Sequence, residues 1–427
     1  MNKNAISFAE AFRFWLKLGF ISFGGPAGQI AIMHRVVVDE RKWIDESRFL
    51  HALNFCMLLP GPEATKLATY IGWLLHGTRG GLAAGILFVL PGALVMLALS
   101  ALYALGRGIP AVEGALFGIK AAVLVIVVEA LVRIGGRALR TRVLAGIAAA
   151  AFVGIFFLDL PFPAIVVAAA LAGYFITRAP VLPGVAAPPG RWQHAARALA
   201  VGLALWWAPV AATALLLGTE HVLVDVGLFF SKLAVVSFGG AYALLAYMAQ
   251  QAVDNYHWMS APEMVDGLGL AETTPGPLIL VTQFVGFLAG YRDAAPFSPL
   301  AAGVLASALT TWVTFVPSIL LIFAGAPFIE QLRSNQRLSG ALAAITAAVV
   351  GVILNLTVWF ALHVLFGHVI ERRAGPLRWY AFDPLALDLE IGALAALAAV
   401  LAFVLHRSLV ELVLVMAALG VGLRLLL

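Results

Sequence analysis

The chain has 427 residues, of which 62% are hydrophobic and only 11% charged, against about 25% charged in an ordinary soluble domain. That balance excludes a soluble globular fold, and the basic residues are spread over short loops with no water-soluble face that would hold nucleic acid. The net charge of +5 fits cytoplasmic loops obeying the positive-inside rule.

Thirteen apolar segments follow one another, at 8–33, 49–75, 80–104, 112–132, 142–158, 161–177, 197–217, 224–250, 263–289, 298–324, 338–366, 385–405 and 408–427. Most are long enough for a hydrocarbon core about 30 Å thick, and none shows the short alternating pattern of a β-barrel. They predict an all-α integral membrane protein in the lipid bilayer. The first segment begins too interrupted by Glu10, Arg13 and Lys17 to be a cleavable signal core. It is broken by Phe23-Gly24-Gly25-Pro26, and the second segment by Pro60-Gly61-Pro62. Proline removes a donor and clashes with the preceding turn, so neither segment is expected to be one straight helix. The single cysteine, Cys56, can form no intrachain disulfide and anchors no metal alone. Between 179 and 196 lies a Pro-rich connection, which separates an N-terminal repeat at 1–178 from a C-terminal repeat at 197–427 with one extra leading helix.

Loop charges bear on topology. The loops at 34–48 and 133–142 are both basic, yet full crossing by every segment would put them on opposite sides. If the two broken segments re-enter the face they left, the conflict disappears, and Arg178, Arg191, Arg333, Arg337 and Arg407 also fall inside. Arg372, Arg373 and Arg378 remain an exception. Trp15, Trp43, Trp73, Trp258 and Trp379 lie near segment ends and read as interfacial anchors.

The two halves repeat. Phe14, Lys17, Leu18, Ser22, Phe23, Gly24 and Gly25 correspond, 215 residues on, to Phe229, Lys232, Leu233, Ser237, Phe238, Gly239 and Gly240. In the same register Asp39 meets Asp254, Trp43 meets Trp258, and Pro60-Gly61-Pro62 meets Pro275-Gly276-Pro277. Beyond an insertion near 291–297 the offset is 226, where Pro91 meets Pro317 and Ala121-Ala122-Val123 meets Ala347-Ala348-Val349. An odd number of crossings between the repeats predicts inverted topology. The four basic residues at 34–48, against none at 249–263, agree with it. Inverted repeats with interrupted helices at equivalent positions mark secondary transporters, with the site expected at the repeat interface.

With its paired F-G-G and P-G-P motifs, the D-x-x-x-W between them and its fused two-domain length, the sequence resembles the chromate ion transporter family in its long-chain form. The resemblance covers roughly 10–130 and 227–355. It implies an inner-membrane carrier that exports chromate and confers resistance, with sulfate as the related oxyanion. One departure is Ala241, where the first repeat has Pro26. A carrier for sulfate or another small anion is the nearest alternative; a channel and a membrane enzyme are further off. No H-E-x-x-H, G-x-S-x-G or C-x-x-C is present, and neither cofactor nor metal site is expected. Oligomeric state stays open, a homodimer included.

A tetrahedral dianion enters hydrocarbon only where amides and cations replace its water. Helix N-termini supply both free N–H groups and the positive end of a dipole. The expected substrate-binding residues are therefore Ser22, Gly24, Gly25, Pro26, Pro60, Gly61 and Pro62 in one repeat. Their counterparts are Ser237, Gly239, Gly240, Thr274, Pro275, Gly276 and Pro277. The alternative is that these residues serve packing alone. Lys17 and Lys232 recur ahead of each F-G-G, either as paired cations for the substrate or as snorkelling anchors. Glu63, Lys66, Lys120 and Glu272 are ionisable residues within apolar segments and candidates for coupling. Glu63 and Lys66, three apart on one helical face, have mutual neutralisation as their simpler reading.

Overall fold

Each apolar stretch that Gly and Pro interrupt folds as two helices. The computed structural model describes residues 6–23, 25–106, 108–177, 191–238, 241–325, 336–367 and 369–426. The first stretch gives α1 (Phe8–Ile21) and α2 (Gly25–His34), and the second gives α3 (Glu46–Leu58) and the start of α4 (Glu63–Leu105). The helix starts have local causes. Ser7 caps α1 by accepting the Glu10 N–H, and Asp45 caps α3 by accepting the Arg48 N–H. Helix α4 reverses at His76 and Gly77, which leave helical dihedrals, Gly77 at φ +61°. Gly72 and Gly80 lie back to back across this reversal, where a β-carbon would strike the opposing backbone. Hence the separate segments expected at 49–75 and 80–104 are two arms of one helical hairpin.

Then come α5 (Pro110–Ala138), α6 (Arg142–Phe156), α7 (Phe162–Ile176) and α8 (Arg191–Leu217). Of the Pro-rich connection, residues 179–190 lie outside the described residues, and Arg191 onward is already helix. The second repeat continues with α9 (Val222–Val235), α10 (Ala241–Gln250), α11 (Ala261–Thr273), α12 (Val281–Arg292), α13 (Pro299–Gly325) and α14 (Gln336–Leu365). A two-stranded antiparallel hairpin, β1 (Val369–Ala374) and β2 (Leu377–Phe382), departs from the helical expectation. The chain closes with α15 (Leu389–Ala399) and α16 (Leu409–Leu426). Among the described residues, six helices are long and apolar enough to cross a membrane.

The chain forms two compact units, and each draws on both halves of the sequence. The first comprises residues 1–101, 180–240 and 274–335, and the second residues 102–179, 241–273 and 336–427. In the first, α13 packs on α8, α9 and α12; in the second, α14 packs on α5, α6 and α7, and α16 on α5. Small residues permit the last contact, since Gly118 meets the Met416 carbonyl and Gly420 meets Gly114.

Two tryptophans correct the anchor reading: Trp15 and Trp258 are buried. Each lies on a face directed into its own unit, where packing outweighs interfacial placement. Trp379 is exposed on β2.

Candidate functional site

The breaks in the first unit are joined crosswise. Gly61 N–H donates to the Ser237 carbonyl at 2.8 Å, and Gly276 N–H donates to the Ser22 carbonyl at 2.8 Å. Since Gly61 corresponds to Gly276 and Ser22 to Ser237, the two bonds are counterparts, each tying the P-G-P of one repeat to the F-G-G break of the other. Both glycines adopt left-handed dihedrals, φ +105° and +92°, which a side chain rarely tolerates. Gly61 also abuts the Ser318 side chain on α13, and Gly92 takes the equivalent place against Pro275 and Gly276.

Around this crossing the side chains are polar and enclosed. Ser22 donates to Leu18 O at 2.6 Å. Gln29 Nε2, on α2, donates to Gly276 O at 2.5 Å and, more weakly, to Ser22 O at 3.4 Å. Lys66, on the first turn of α4, is 1% exposed and donates through its ammonium to the Leu59 carbonyl just ahead of Pro60. Glu63 and the Cys56 thiol lie within electrostatic reach of that ammonium. Such a cation in an apolar segment is costly, and its default reading is functional. At Gly25, where φ is +70°, no atom of the described residues, its own neighbours along the helix aside, lies within 4 Å of the place a β-carbon would take. Thr274 is buried in the second P-G-P turn. Gly24, Gly239 and Gly240 lie outside the described residues.

The remaining sequence candidates are distributed differently. Lys17 and Lys232 lie on exposed faces of α1 and α9. In the second unit Lys120, on α5, faces Asp266 Oδ1 at 3.4 Å, while Tyr103 O–H donates to Asp266 Oδ2 at 2.9 Å. Glu272 accepts a hydrogen bond from Tyr242 O–H at 2.8 Å, and both residues are 4% exposed. Arg133 and Glu129, an i, i+4 pair on α5 at 3.3 Å, act on Glu272 electrostatically. Asp266 was open to detection from the sequence by the rule that singled out Glu272, being an acid inside an apolar segment. Gln29, Tyr103 and Tyr242 carried no such signal, because uncharged polar residues are ordinary in membrane helices.

Outside the apolar segments, the second unit holds a polar clamp. Asp159, between α6 and α7, pairs with Arg373 at 2.7 Å and Arg378 at 2.6 Å and accepts from Gln250 at 2.7 Å. Arg378 is buried and also donates to the Ile155 and Phe156 carbonyls. With Glu371, which lies 2.6 Å from Arg373 and 3.9 Å from Arg378, Asp159 offsets the charge of two arginines of the stretch that stood as an exception to the loop-charge pattern. Beside them opens a cavity of about 470 Å³, whose lining includes Asp254, His257 and Glu371. Burial, and then the Glu371 charge, push the Asp254 carboxyl up to about 6, against the opposing pull of Arg378.

Fold and site together define a multi-pass helical membrane protein whose enclosed chemistry gathers at interrupted helices, as it does in secondary transporters. The chromate transporter family model matches residues 9–174 and 224–423. A chromate transport protein of Pseudomonas aeruginosa is 34% identical over 358 residues, covering 82% of this chain and 80% of that protein. A probable chromate transport protein of Synechococcus elongatus is 27% identical, covering 83% and 84%. A chromate transport protein of Cupriavidus metallidurans is 26% identical, covering 82% and 81%. No solved structure matches the chain. The chain belongs to the chromate transporter family, a family of membrane transporters and not of enzymes.

Proposed function

We propose that the protein is an inner-membrane secondary carrier that moves chromate out of the cell and so confers resistance. The substrate rests on the relatives named for chromate transport. The observation that supports a binding role for the motifs is the reciprocal Gly61–Ser237 and Gly276–Ser22 crossing, with buried Lys66 at its edge. A dianion meets there the start of α2, the start of α4, the P-G-P turn ahead of α12 and one ammonium. Amides and a fixed cation together replace the water that the dianion loses. The residues assigned to it are Ser22, Gly24 to Pro26, Pro60 to Pro62, Ser237, Gly239, Gly240 and Thr274 to Pro277, with Lys66 as the contacting cation. The exposure of Lys17 and Lys232 favours interfacial anchoring for that pair.

Energetics favour export. With the interior negative, an outward-moving dianion gains about 4.6 kcal/mol per 100 mV, twice the single-charge value. Inverted repeats working by alternating access suit this reading, and no half-helix is long enough alone to cross the core: the 13 residues of α3 span about 20 Å. Glu272, enclosed with Tyr242, is the candidate for proton coupling.

The test is chromate uptake into everted vesicles with and without an imposed potential, with sulfate as competitor. Potential-driven uptake that collapses in Lys66→Gln, yet survives Lys17→Ala/Lys232→Ala, is the expected result. Vesicles that hold folded protein and move no chromate refute the substrate, and preferential sulfate flux reassigns it.

A further inference from the structure

Helix α13 carries three hydroxyls at Thr310, Thr314 and Ser318, spaced so that they fall on one face. All three are buried, at 0%, 3% and 1% exposure. Among the described residues, none of the three hydroxyl oxygens finds a hydrogen-bond partner. That is unusual behaviour for Ser and Thr in a helix, which ordinarily donate to the carbonyl one turn back. Others in this chain do so: Thr311 donates to Ser307 O at 2.9 Å, Ser100 to Met96 O at 2.7 Å and Thr69 to Thr65 O at 2.8 Å. Thr65 and Ser231 are also unpartnered, but neither belongs to a run of three on one face.

The stripe is not demanded by packing. At the offset of 226 its counterparts on α4 are Ala84, Phe88 and Gly92, so the same place in the other repeat is filled without a polar atom. Nor does it end at random. Thr310 stands against Gly286 of α12, and Ser318 stands against Gly61 in the P-G-P break. Lys66 reaches the residue just ahead of the same break, donating to the Leu59 carbonyl. Two further enclosed acceptors in the same unit, the Gln29 and Gln283 side-chain carbonyls, have unused capacity, but α13 itself bears no charged residue between Pro299 and Gly325. Three neutral hydroxyls able to donate lead to one buried ammonium, and that ammonium makes the site suit an anion.

We propose that Thr310, Thr314 and Ser318 form a binding lane for the oxygens of a tetrahedral oxyanion, ending at Gly61 and Lys66. The inference rests on the carrier function proposed above and adds to it a set of residues on α13 outside the glycine and proline motifs. Each hydroxyl donates to a substrate oxygen in turn, which is why none is committed to its own helix. Hydrogen bonds to a charged partner are the strong ones.

The experiment uses the full chain in proteoliposomes. Thr314→Val/Ser318→Ala is compared with Thr311→Val, whose hydroxyl is already satisfied within α13, and initial rates of chromate and labelled sulfate uptake are followed against concentration. The double variant should raise KM for both oxyanions by about tenfold or more, with the control within about twofold of the parent. A double variant with the parent's KM overturns the lane while leaving the carrier function standing. A parent protein that moves no oxyanion removes both. Because the double variant loses two buried polar groups, a second measurement keeps the result readable if it folds poorly. In a Cys56→Ser background, Ser318→Cys is labelled with a small anionic methanethiosulfonate. Sulfate, which unlike chromate does not oxidise the thiol, should slow that labelling at least about threefold. Labelling unchanged by saturating sulfate overturns the lane.

Discussion

In the turn after α2, Arg41 N–H reaches Val36 O and Trp43 N–H reaches Val37 O, both at 2.8 Å, with Lys42 at φ +52°. In the turn after α10, Tyr256 N–H reaches Gln251 O and Trp258 N–H reaches Ala252 O, again at 2.8 Å, with His257 at φ +53°. Register, bond pattern and left-handed residue all recur at the offset of 215. The side chains do not. The first turn carries Arg35, Arg41 and Lys42, with His34 set between Asp39 and Glu46. The second carries no Lys or Arg of its own and faces the Asp159 clamp. The same divergence runs through the enclosed residues, where Gln29, Lys66, Tyr242 and Glu272 have Leu244, Val281, Ala27 and Met57 as counterparts. The duplication holds the backbone devices in common, while the chemistry differs from one repeat to the other.

The largest expected effect breaks the shared part. Gly61→Ala combines left-handed strain with overlap on Ser318 and should cost about 4 kcal/mol, read as loss of thermal stability in detergent. Gly276→Ala meets ordinary contacts at its new β-carbon, so only strain acts, and about 2 kcal/mol is expected. Equal losses would show that the two breaks are not distinguished by Ser318. Next comes Arg378→Met, which leaves Asp159 with Arg373 as its remaining cation. A loss of about 3 kcal/mol is expected, and restoration in Arg378→Met/Asp159→Asn would identify the ion pair as its source.

Smaller effects sharpen the difference between the repeats. The Asp254 carboxyl titrates at about 6 in the folded protein, above the free value of 3.8. The folded state therefore holds a proton that the unfolded chain has already lost. Its stabilisation is complete below about pH 4 and is lost as pH rises through 6. Asp254 keeps an exposed face, so solvent screening limits the amplitude to under about 1 kcal/mol. Unfolding midpoints measured from pH 4 to 7 should fall in the parent protein and stay flatter in Asp254→Asn. Last, Tyr242→Phe removes the hydrogen bond to Glu272 at 2.8 Å and should shift the pH profile of transport by about one unit, with saturating flux largely kept. An unmoved profile would take Glu272 out of proton coupling.

Much of the frame was legible in the sequence because helix breaks are local. The Gly and Pro residues at 23–26, 60–62 and 275–277 constrain backbone dihedrals wherever the chain lies, so the interrupted helices were predictable from them. The 215-residue offset was legible for the same reason. Pairing was not: nothing in the composition of Ser22 or Gly276 says that the two meet, since a backbone carbonyl and a backbone N–H are present in every residue. The hydroxyls of α13 were equally silent, because a membrane helix tolerates Ser and Thr on any face. Nothing in the sequence pairs Arg373 and Arg378 with Asp159, which lies more than two hundred residues earlier and shares them with Glu371.

The crossed hydrogen bonds carry a consequence for biogenesis. While the ribosome has made only the first repeat, Gly61 N–H has no acceptor, because Ser237 is still to be synthesised. The first P-G-P turn therefore reaches the bilayer with an amide that only the second half can satisfy, and in lipid such a group is expensive to leave open. Insertion of the early helices and completion of their breaks are separate events in time, the second waiting on residues made more than 170 positions later. Two halves expressed from separate genes should each insert, and each should acquire protease resistance at its breaks only when the other is present.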